Sequence, residues 1–458
     1  MTEDPAAHVF PSDQDIRALL TERIDVRGQG VGMVVGVIDA GGRRVVAHGE
    51  MEQAGGRRVG ADTLFEIGSA TKAFTTLLLA EMAERGEVAL EDPVDRYLPA
   101  GVTAPARDGR RITLIDLATH TSGLPSMDPG FRTTDPQHPR ALAGQAEALA
   151  QYSAERLHAF LNRWTLTRDI GARYVYSNLG LGLLGHVLSL RAGRDFETLL
   201  RERVTGPLGL TDTVITPDED QRSRLAIAHD GRRRPVEHMR LQALGGAGAL
   251  RSTANDLLAF LAAELGYAAS PLKGAMAAQL APRRPTNLMR MQTALGWHVN
   301  ETANGEIIGH GGATVGTLAY VGFDRSRRCG VVVLANAREA GDESIGWRLL
   351  NAGQSGSPTR RGQPAAPNAD TLDRFTGRYR LWSGAVLAVT REGKRLFAQL
   401  LLEDGARRPL REIRPLAPAR FGWGDANMEV TFVGEGPAAK VVLHSAGGDR
   451  RGTRLAEA

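Results

Sequence analysis

One cysteine, Cys329, is all the thiol chemistry that the 458 residues offer. An internal disulfide is therefore excluded, and no Cys/His spacing of the metal-binding kind occurs, so stability has to come from packing. Cys329 sits in the apolar run RRCGVVVLAN and reads as a small core residue on a strand. Lysine is also scarce: Lys72, Lys273, Lys394 and Lys440 are the only four, which leaves 52 arginines among 56 basic residues. Aromatic residues make up 5% and do not interleave with the arginine clusters GRRRP (231–235) and RSRR (325–328). With 52 acidic residues, a net charge of +4 and a pI near 9.4, the chain is mildly basic and shows no nucleic-acid surface. No apolar run reaches the roughly 18 residues that a membrane helix needs. The opening MTEDPAAHVFPSDQD has neither a basic n-region nor an apolar h-region, so no signal peptide is read and a cytoplasmic protein is expected, or a periplasmic or secreted one if a leader has been removed.

The length suits two or three domains, and 42% hydrophobic with 24% charged residues is the profile of a globular protein. Residues 12–24 place Ile16, Leu19, Leu20 and Ile24 at helical spacing behind a Ser12 cap. VGMVVGVIDAGGRRVVAHG predicts two strands joined at Gly41–Gly42. From about 110 to 290 the chain is mostly helical, with helices expected over 113–120, 154–162, 178–190 and 252–265. A Pro-rich loop at 122–139 has the length of a site-lining segment. Strands return in TALGWHV, GEIIGHGG, TLAYVGFD and CGVVVLANA, and a helix over 342–352 follows. A helical middle between two strand-rich ends implies an α/β (α+β) fold: one sheet built from both ends of the chain, flanked by helices, with a mostly helical inserted domain. Residues 353–369 read as a Gly/Pro/Ser linker. Short alternating strands over 370–458, with a hairpin near Glu392–Gly393, predict a small antiparallel β barrel or sandwich.

Chemistry is concentrated in three places. FEIGSATKAFTTLLLAEMAERG (65–86) carries Ser69 and Lys72 one turn apart at the start of an apolar helix. Ser69 reads either as an N-cap or as a nucleophile beside a lysine, at a helix end that favours developing negative charge. A second Ser-x-x-Lys, Ser270 to Lys273, has proline at its first helical position and reads as a surface cap. The two copies differ in their surroundings. Lys72 opens a helix that is apolar almost all round, where a lysine is expensive without partners. Tyr176 and Asn178, in RYVYSNLGLGLLGHVL, lie at another helix start; Asn178 reads as a cap, and a tyrosine near a lysine can act as a base. His310-Gly311-Gly312 lies between two apolar strands, where glycines mark close approach of a ligand or another backbone.

Ser-x-x-Lys, Tyr-x-Asn and His-Gly-Gly, in that order, resemble the motifs of the penicillin-recognising serine hydrolases: class C β-lactamases, DD-peptidases, family VIII esterases and D-aminopeptidases. LIDLATHTSGLP (114–125) and GHGG…GFDRSRRCGVVVLAN (309–336) also look like that family. The resemblance covers about 12–352, giving a catalytic domain over 1–352, and 370–458 resembles the lipocalin-like barrel appended to some members. It implies that Ser69 is acylated, that Lys72 and Tyr176 handle its proton, and that Asn178 donates to the carbonyl side of the substrate. It also implies that the N–H groups of Ser69 and Ala313 form an oxyanion hole, that His310, Gly311 and Gly312 bind substrate, and that no metal or cofactor is needed. His310 stands where β-lactamases carry the lysine of Lys-Thr-Gly. A mostly neutral histidine suits substrate carboxylates less well and shifts the expectation from β-lactams toward small esters, amides or short D-residue peptides. An acyltransferase or peptide cyclase of the penicillin-binding-protein thioesterase kind would use the same residues, and a non-catalytic sensor would keep only the fold. A small molecule or peptide is the expected partner, with the oligomeric state open.

Overall fold

The computed structural model describes residues 9–455 apart from 27, 54, 132–145, 232, 287–289, 303–304, 339–341, 353–368, 382–384, 394, 402–409, 424–428, 435–437 and 445–449. Nearly all of the expected linker, and part of the 122–139 loop, lie outside the described residues. The chain divides into two compact units, the second taking up the chain from Ser357 onward.

In the first unit, the two ends of the chain do build one sheet. β1 (Gly32–Asp39) and β2 (Gly42–Gly49) form a hairpin, and β3 (Arg284–Pro285), β4 (Met291–Thr293), β5 (His298–Thr302), β6 (Gly305–Ala313), β7 (Leu318–Asp324) and β8 (Cys329–Ala335) come from the far end. The order is β2-β1-β8-β7-β6-β5-β4-β3, antiparallel throughout, and the ends meet where Met33 pairs with Ala335 and Ile38 with Gly330. Successive side chains of a strand point to opposite faces, and both faces here are covered. Met33, Val35 and Val37 pack against Ile16 and Leu20 of α1 (Asp13–Thr21) and Ile345 and Leu349 of α8 (Asp342–Ala352). Val34 and Ile38 face the larger core, which contains Leu78 of α2 (Thr71–Glu84) and Leu258 of α6 (Ala254–Glu264). The helical segment between the ends supplies α3 (Leu114–Ala118), α4 (Ala154–Arg163), α5 (Asn178–Ala192), α6 and α7 (Lys273–Leu280).

One strand expectation fails. TALGWHV is not continuous: it ends β4 at Thr293, turns, and restarts as β5 at His298. Gly296 has φ +67°, and the Ala294 N–H donates to Trp297 O at 2.9 Å, closing a tight turn that an apolar reading of the segment hides.

The second unit is a barrel rather than a sandwich. β9 (Gly377–Leu381), β10 (Val386–Glu392), β11 (Arg395–Leu401), β12 (Arg411–Ala417), β13 (Arg420–Trp423), β14 (Glu429–Val433), β15 (Lys440–His444) and β16 (Arg450–Arg454) each pair with the next. β9 also pairs with β16, Tyr379 opposite Arg454, so no strand edge stays open. Phe375, Tyr379, Phe421 and Phe432 form an aromatic cluster in its core, with ring centroids 4.8–5.7 Å apart.

Glu264, the last residue of α6, is buried, and neither carboxylate oxygen has a hydrogen-bond partner. Burial pushes its carboxyl from 4.5 up to about 8. Between those two values the folded chain holds a proton that the unfolded chain has released, so this group's contribution is full below 4.5 and is lost as pH rises through about 8. Glu264→Gln is expected to flatten that slope and to melt above the parent at pH 9, with little difference at pH 4.5. Melting temperature measured against pH for both proteins checks this.

Candidate active site

From Thr63 to Met82 every residue except Ser69 is buried. Ser69 lies in a single 3-10 turn, Gly68–Ala70, that leads into α2. It does not cap the helix. The N-cap position belongs to Ala70, with no side-chain cap bond, and the Ser69 Oγ instead lies 3.0 Å from Lys72 Nζ. A two-stranded ribbon, Phe65–Glu66 with Arg251–Ser252, anchors the turn, and the Leu250 N–H donates to Thr71 Oγ1 at 3.1 Å. The second Ser-x-x-Lys is a surface turn: Ser270 Oγ accepts from the Leu272 N–H and Lys273 is exposed.

Lys72 is fully buried, and its Nζ has three partners, none of them charged: Ser69 Oγ at 3.0 Å, Asn178 Oδ1 at 2.7 Å and Ala247 O at 2.6 Å. Burial holds the ammonium well below its usual range. A neutral amine has two N–H donors and one lone pair. Asn178 Oδ1 and the Ala247 carbonyl can only accept, so they take both donors and turn the lone pair toward the Ser69 hydroxyl.

Ala247 arrives there because glycines let two backbones touch. Gly182 and Gly185 share one face of α5; a Cβ on Gly182 would come within 2.8 Å of Leu244 Cα, and one on Gly185 within 3.0 Å of Gly246 Cα. The turn Gly245–Ala247 thus lies directly on α5, delivering Ala247 O to Lys72 and Gly246 O to Thr75 Oγ1 at 2.8 Å. Asn178 is the first residue of α5. The cap is Ser177, whose Oγ accepts from the Gly180 N–H at 2.8 Å, and this leaves the Asn178 side chain available to Lys72.

The Tyr176 ring centroid lies 4.9 Å from Lys72 Nζ. Around it are three histidines, of which only His310 was singled out from the sequence. The ring of His120 is 4.5 Å away, that of His310 6.1 Å and that of His298 6.2 Å. His298 stacks on His310 at 4.8 Å and its Nε2 is 3.0 Å from Tyr174 Oη. His310 Nδ1 is 2.6 Å from Gly311 O. Burial holds His120 and His310 well below the usual histidine range and lowers His298 too, and the closeness of Lys72 and of the other imidazoles adds to it, because two of these groups cannot be protonated side by side. All three imidazoles are therefore neutral near pH 7. A lone histidine in THTSG or GWHV carries no such signal in the sequence; the cluster exists only after folding.

β6 closes the site from the other side. Gly312 backs onto the Ser69 turn so tightly that a Cβ there would overlap Ile67 O and come within 3.1 Å of Ala70 N. Gly68, at φ +49°, has the Ala313 backbone 2.8 Å from where its own Cβ would stand. Ala313, exposed at the end of β6, thereby lies beside Ser69. Ser69, Asn178, Ala247 and Ala313 line a pocket whose other walls include Met127, Leu149, Met239, Leu241 and Leu244; among the described residues no lining side chain is charged. Every site residue expected from the sequence is in this one region, and His120, His298 and the Ala247 carbonyl join them.

An all-antiparallel sheet with a helical insert, a serine in the turn that leads into a buried helix and a neutralised lysine in that helix's first turn define a class. Residues 13–354 match the Beta-lactamase family model, and the chain belongs to that family. Among its relatives is the D-alanyl-D-alanine-carboxypeptidase/endopeptidase AmpH of Escherichia coli K12, 33% identical over 230 residues, or 50% of this chain. The match spans only 56% of AmpH's own length. A β-lactamase of Pseudomonas fluorescens is 26% identical over 69% of this chain and 90% of its own. Penicillin-binding protein 4* of Bacillus subtilis is 24% identical over 91% and 94%. Among solved structures, a β-lactamase/D-alanine carboxypeptidase from Yersinia pestis, complexed with citrate, superposes with a TM-score of 0.62 at 27% identity, covering 74% of this chain and 97% of that one.

Two outcomes follow from this geometry. Gly312→Ala is expected to push β6 off the Ser69 turn, lowering the melting temperature and reducing hydrolase turnover by about 100-fold or more; thermal melts with activity assays check both. Because Lys72 can accept a proton only when neutral, kcat/KM is expected to fall about tenfold per pH unit below its lowered pKa. Lys72→Arg, charged at every pH, is expected to abolish the activity and with it this acid limb. A pH–rate profile of both proteins decides.

Proposed function

We propose that this protein is a serine hydrolase that forms an acyl-enzyme on Ser69 and acts on small esters, amides or short peptides. The observation that carries this reading is the 3.0 Å approach of Lys72 Nζ to Ser69 Oγ, with Lys72 buried among uncharged partners. In this reading Ser69 Oγ attacks the substrate carbonyl carbon and its proton passes to Lys72 Nζ. The N–H groups of Ser69 and Ala313 hold the oxyanion. The bond to the leaving group then breaks, the leaving group departs with a proton supplied through Lys72 and Tyr176, and water releases the acyl group from Oγ. Asn178 holds Lys72 in place and faces the pocket, where its side-chain amide can donate to substrate.

Two features favour esters and amides with apolar acyl groups. The pocket beside Ser69 is walled by methionine and leucine side chains. The third-motif residue is His310, neutral and buried, so that position offers no fixed cation for a substrate carboxylate. AmpH and the Yersinia enzyme are named as D-alanine carboxypeptidases, and short peptides with D-alanine therefore belong in the test panel.

Ser69→Ala is expected to abolish p-nitrophenyl butyrate hydrolysis with an unchanged melting temperature, and wild-type protein to show one added acyl mass on the Ser69 peptide. Undiminished turnover by the variant overturns the assignment. Nitrocefin is expected to be turned over at least 100-fold less efficiently than the butyrate ester, read as kcat/KM.

A further inference from the structure

His120 has no role in the scheme above, yet it is tied to the Tyr176 segment from two directions. It is buried and one of the few non-glycine residues with positive φ, at +58°. That conformation is sparsely populated and persists only where surrounding contacts enforce it. Here the contacts are visible. The Val175 N–H donates to the His120 carbonyl at 2.8 Å, and the Ser177 N–H donates to His120 Nδ1 at 3.0 Å. One residue therefore holds the N–H groups of the residues before and after Tyr176, and its ring lies 4.5 Å from the Tyr176 ring at an interplanar angle of 35°. Tyr174 meets the same imidazole edge-on at 5.5 Å.

The accepted hydrogen bond also fixes the tautomer. With Nδ1 accepting from a backbone N–H, the ring proton is on Nε2. Nε2 is buried and has no hydrogen-bond partner. A buried donor without an acceptor is costly in the resting state. It becomes favourable when an acceptor or negative charge develops nearby. The titratable groups that face it are Lys72, Tyr174, Tyr176, His298 and His310.

We propose that His120 is the positioning residue of Tyr176: its carbonyl and Nδ1 fix the backbone on either side of the tyrosine, and its Nε2–H is the donor that stabilises the Tyr176 oxygen as the phenol gives up its proton. This rests on the acyl-enzyme reading of Ser69 and adds to it the residue that sets when Tyr176 is competent. The two hydrogen bonds act on geometry, and the unpaired N–H acts on the protonation equilibrium, so different substitutions separate them.

His120→Asn retains a side-chain acceptor near the Nδ1 position and tolerates positive φ, but it lacks the Nε2–H. His120→Ala removes both nitrogens. With p-nitrophenyl butyrate, His120→Ala is expected to lower the single-turnover acylation rate about 100-fold with KM within about threefold, because binding is untouched. His120→Asn is expected to recover about tenfold of that loss. In both variants the basic limb of the pH–rate profile of acylation is expected to move toward higher pH by about one unit, reflecting a phenol that has lost its donor, while the acid limb set by Lys72 stays. Three results overturn the proposal: an acylation rate near wild type in His120→Ala, equal losses in His120→Asn and His120→Ala, or a loss that matches the unfolded fraction with an unshifted pH profile. If His120→Ala is too unstable to assay, His120→Asn and its pH profile decide alone. Failure of the acyl-enzyme reading would show separately, as Ser69→Ala retaining full turnover.

Discussion

The structure around Ser69 depends on keeping one lysine dry. An ammonium carried into a protein interior loses hydration worth several kcal/mol, and without a counter-ion the loss falls on its protonation equilibrium. Lys72 has no carboxylate among its hydrogen-bond partners. Its helix is buried from Thr71 through Met82, and the sheet, α5 and the glycine turn at 245–247 shut out water from the remaining directions. A lysine paired with an aspartate would be a stable cation and useless as a base. Three neutral oxygens supply enough polarity to orient the amine, too little to keep it charged.

Much of this was legible in the sequence, for definable reasons. The sheet built from both chain ends followed from apolar strand runs at 31–49 and 293–337, because hydrophobic alternation is a local property. Ser69, Lys72, Tyr176, Asn178, His310 and Ala313 were legible as three short motifs in a fixed order, and the fold brings them into one region. The rest was hidden because it depends on backbone geometry. That Ser69 precedes its helix in a 3-10 turn, rather than capping it, is set by Gly68 and by the approach of Ala313. That Ser177 takes the cap from Asn178 cannot be read from two adjacent capping residues. The contribution of Ala247 is a carbonyl, which every residue has; only the glycines of α5 explain why this one reaches Lys72. TALGWHV hid a turn because its glycine is surrounded by apolar residues that pack well on either side.

The histidines show how one principle is used several times in the same space. His120, His298 and His310 come from the loop after α3 and from neighbouring strands β5 and β6, and each is pressed into its neutral form. Neutral imidazoles give directional donors and acceptors without adding a charge beside the buried Lys72 amine. Had any of them carried a lasting charge, Lys72 would have been driven still further from protonation.

The partners of Lys72 lie 3, 106 and 175 residues away along the chain. Closing loops of that size is slow and entropically uphill, and the reward comes only once helix, sheet and glycine turn are packed together. A short fragment can bring Lys72 next to Ser69, but only the packed unit adds Asn178 and Ala247 to it. Appearance of activity during refolding becomes a clock for the last tertiary contacts of this unit, with secondary structure and collapse coming earlier and leaving no catalytic trace.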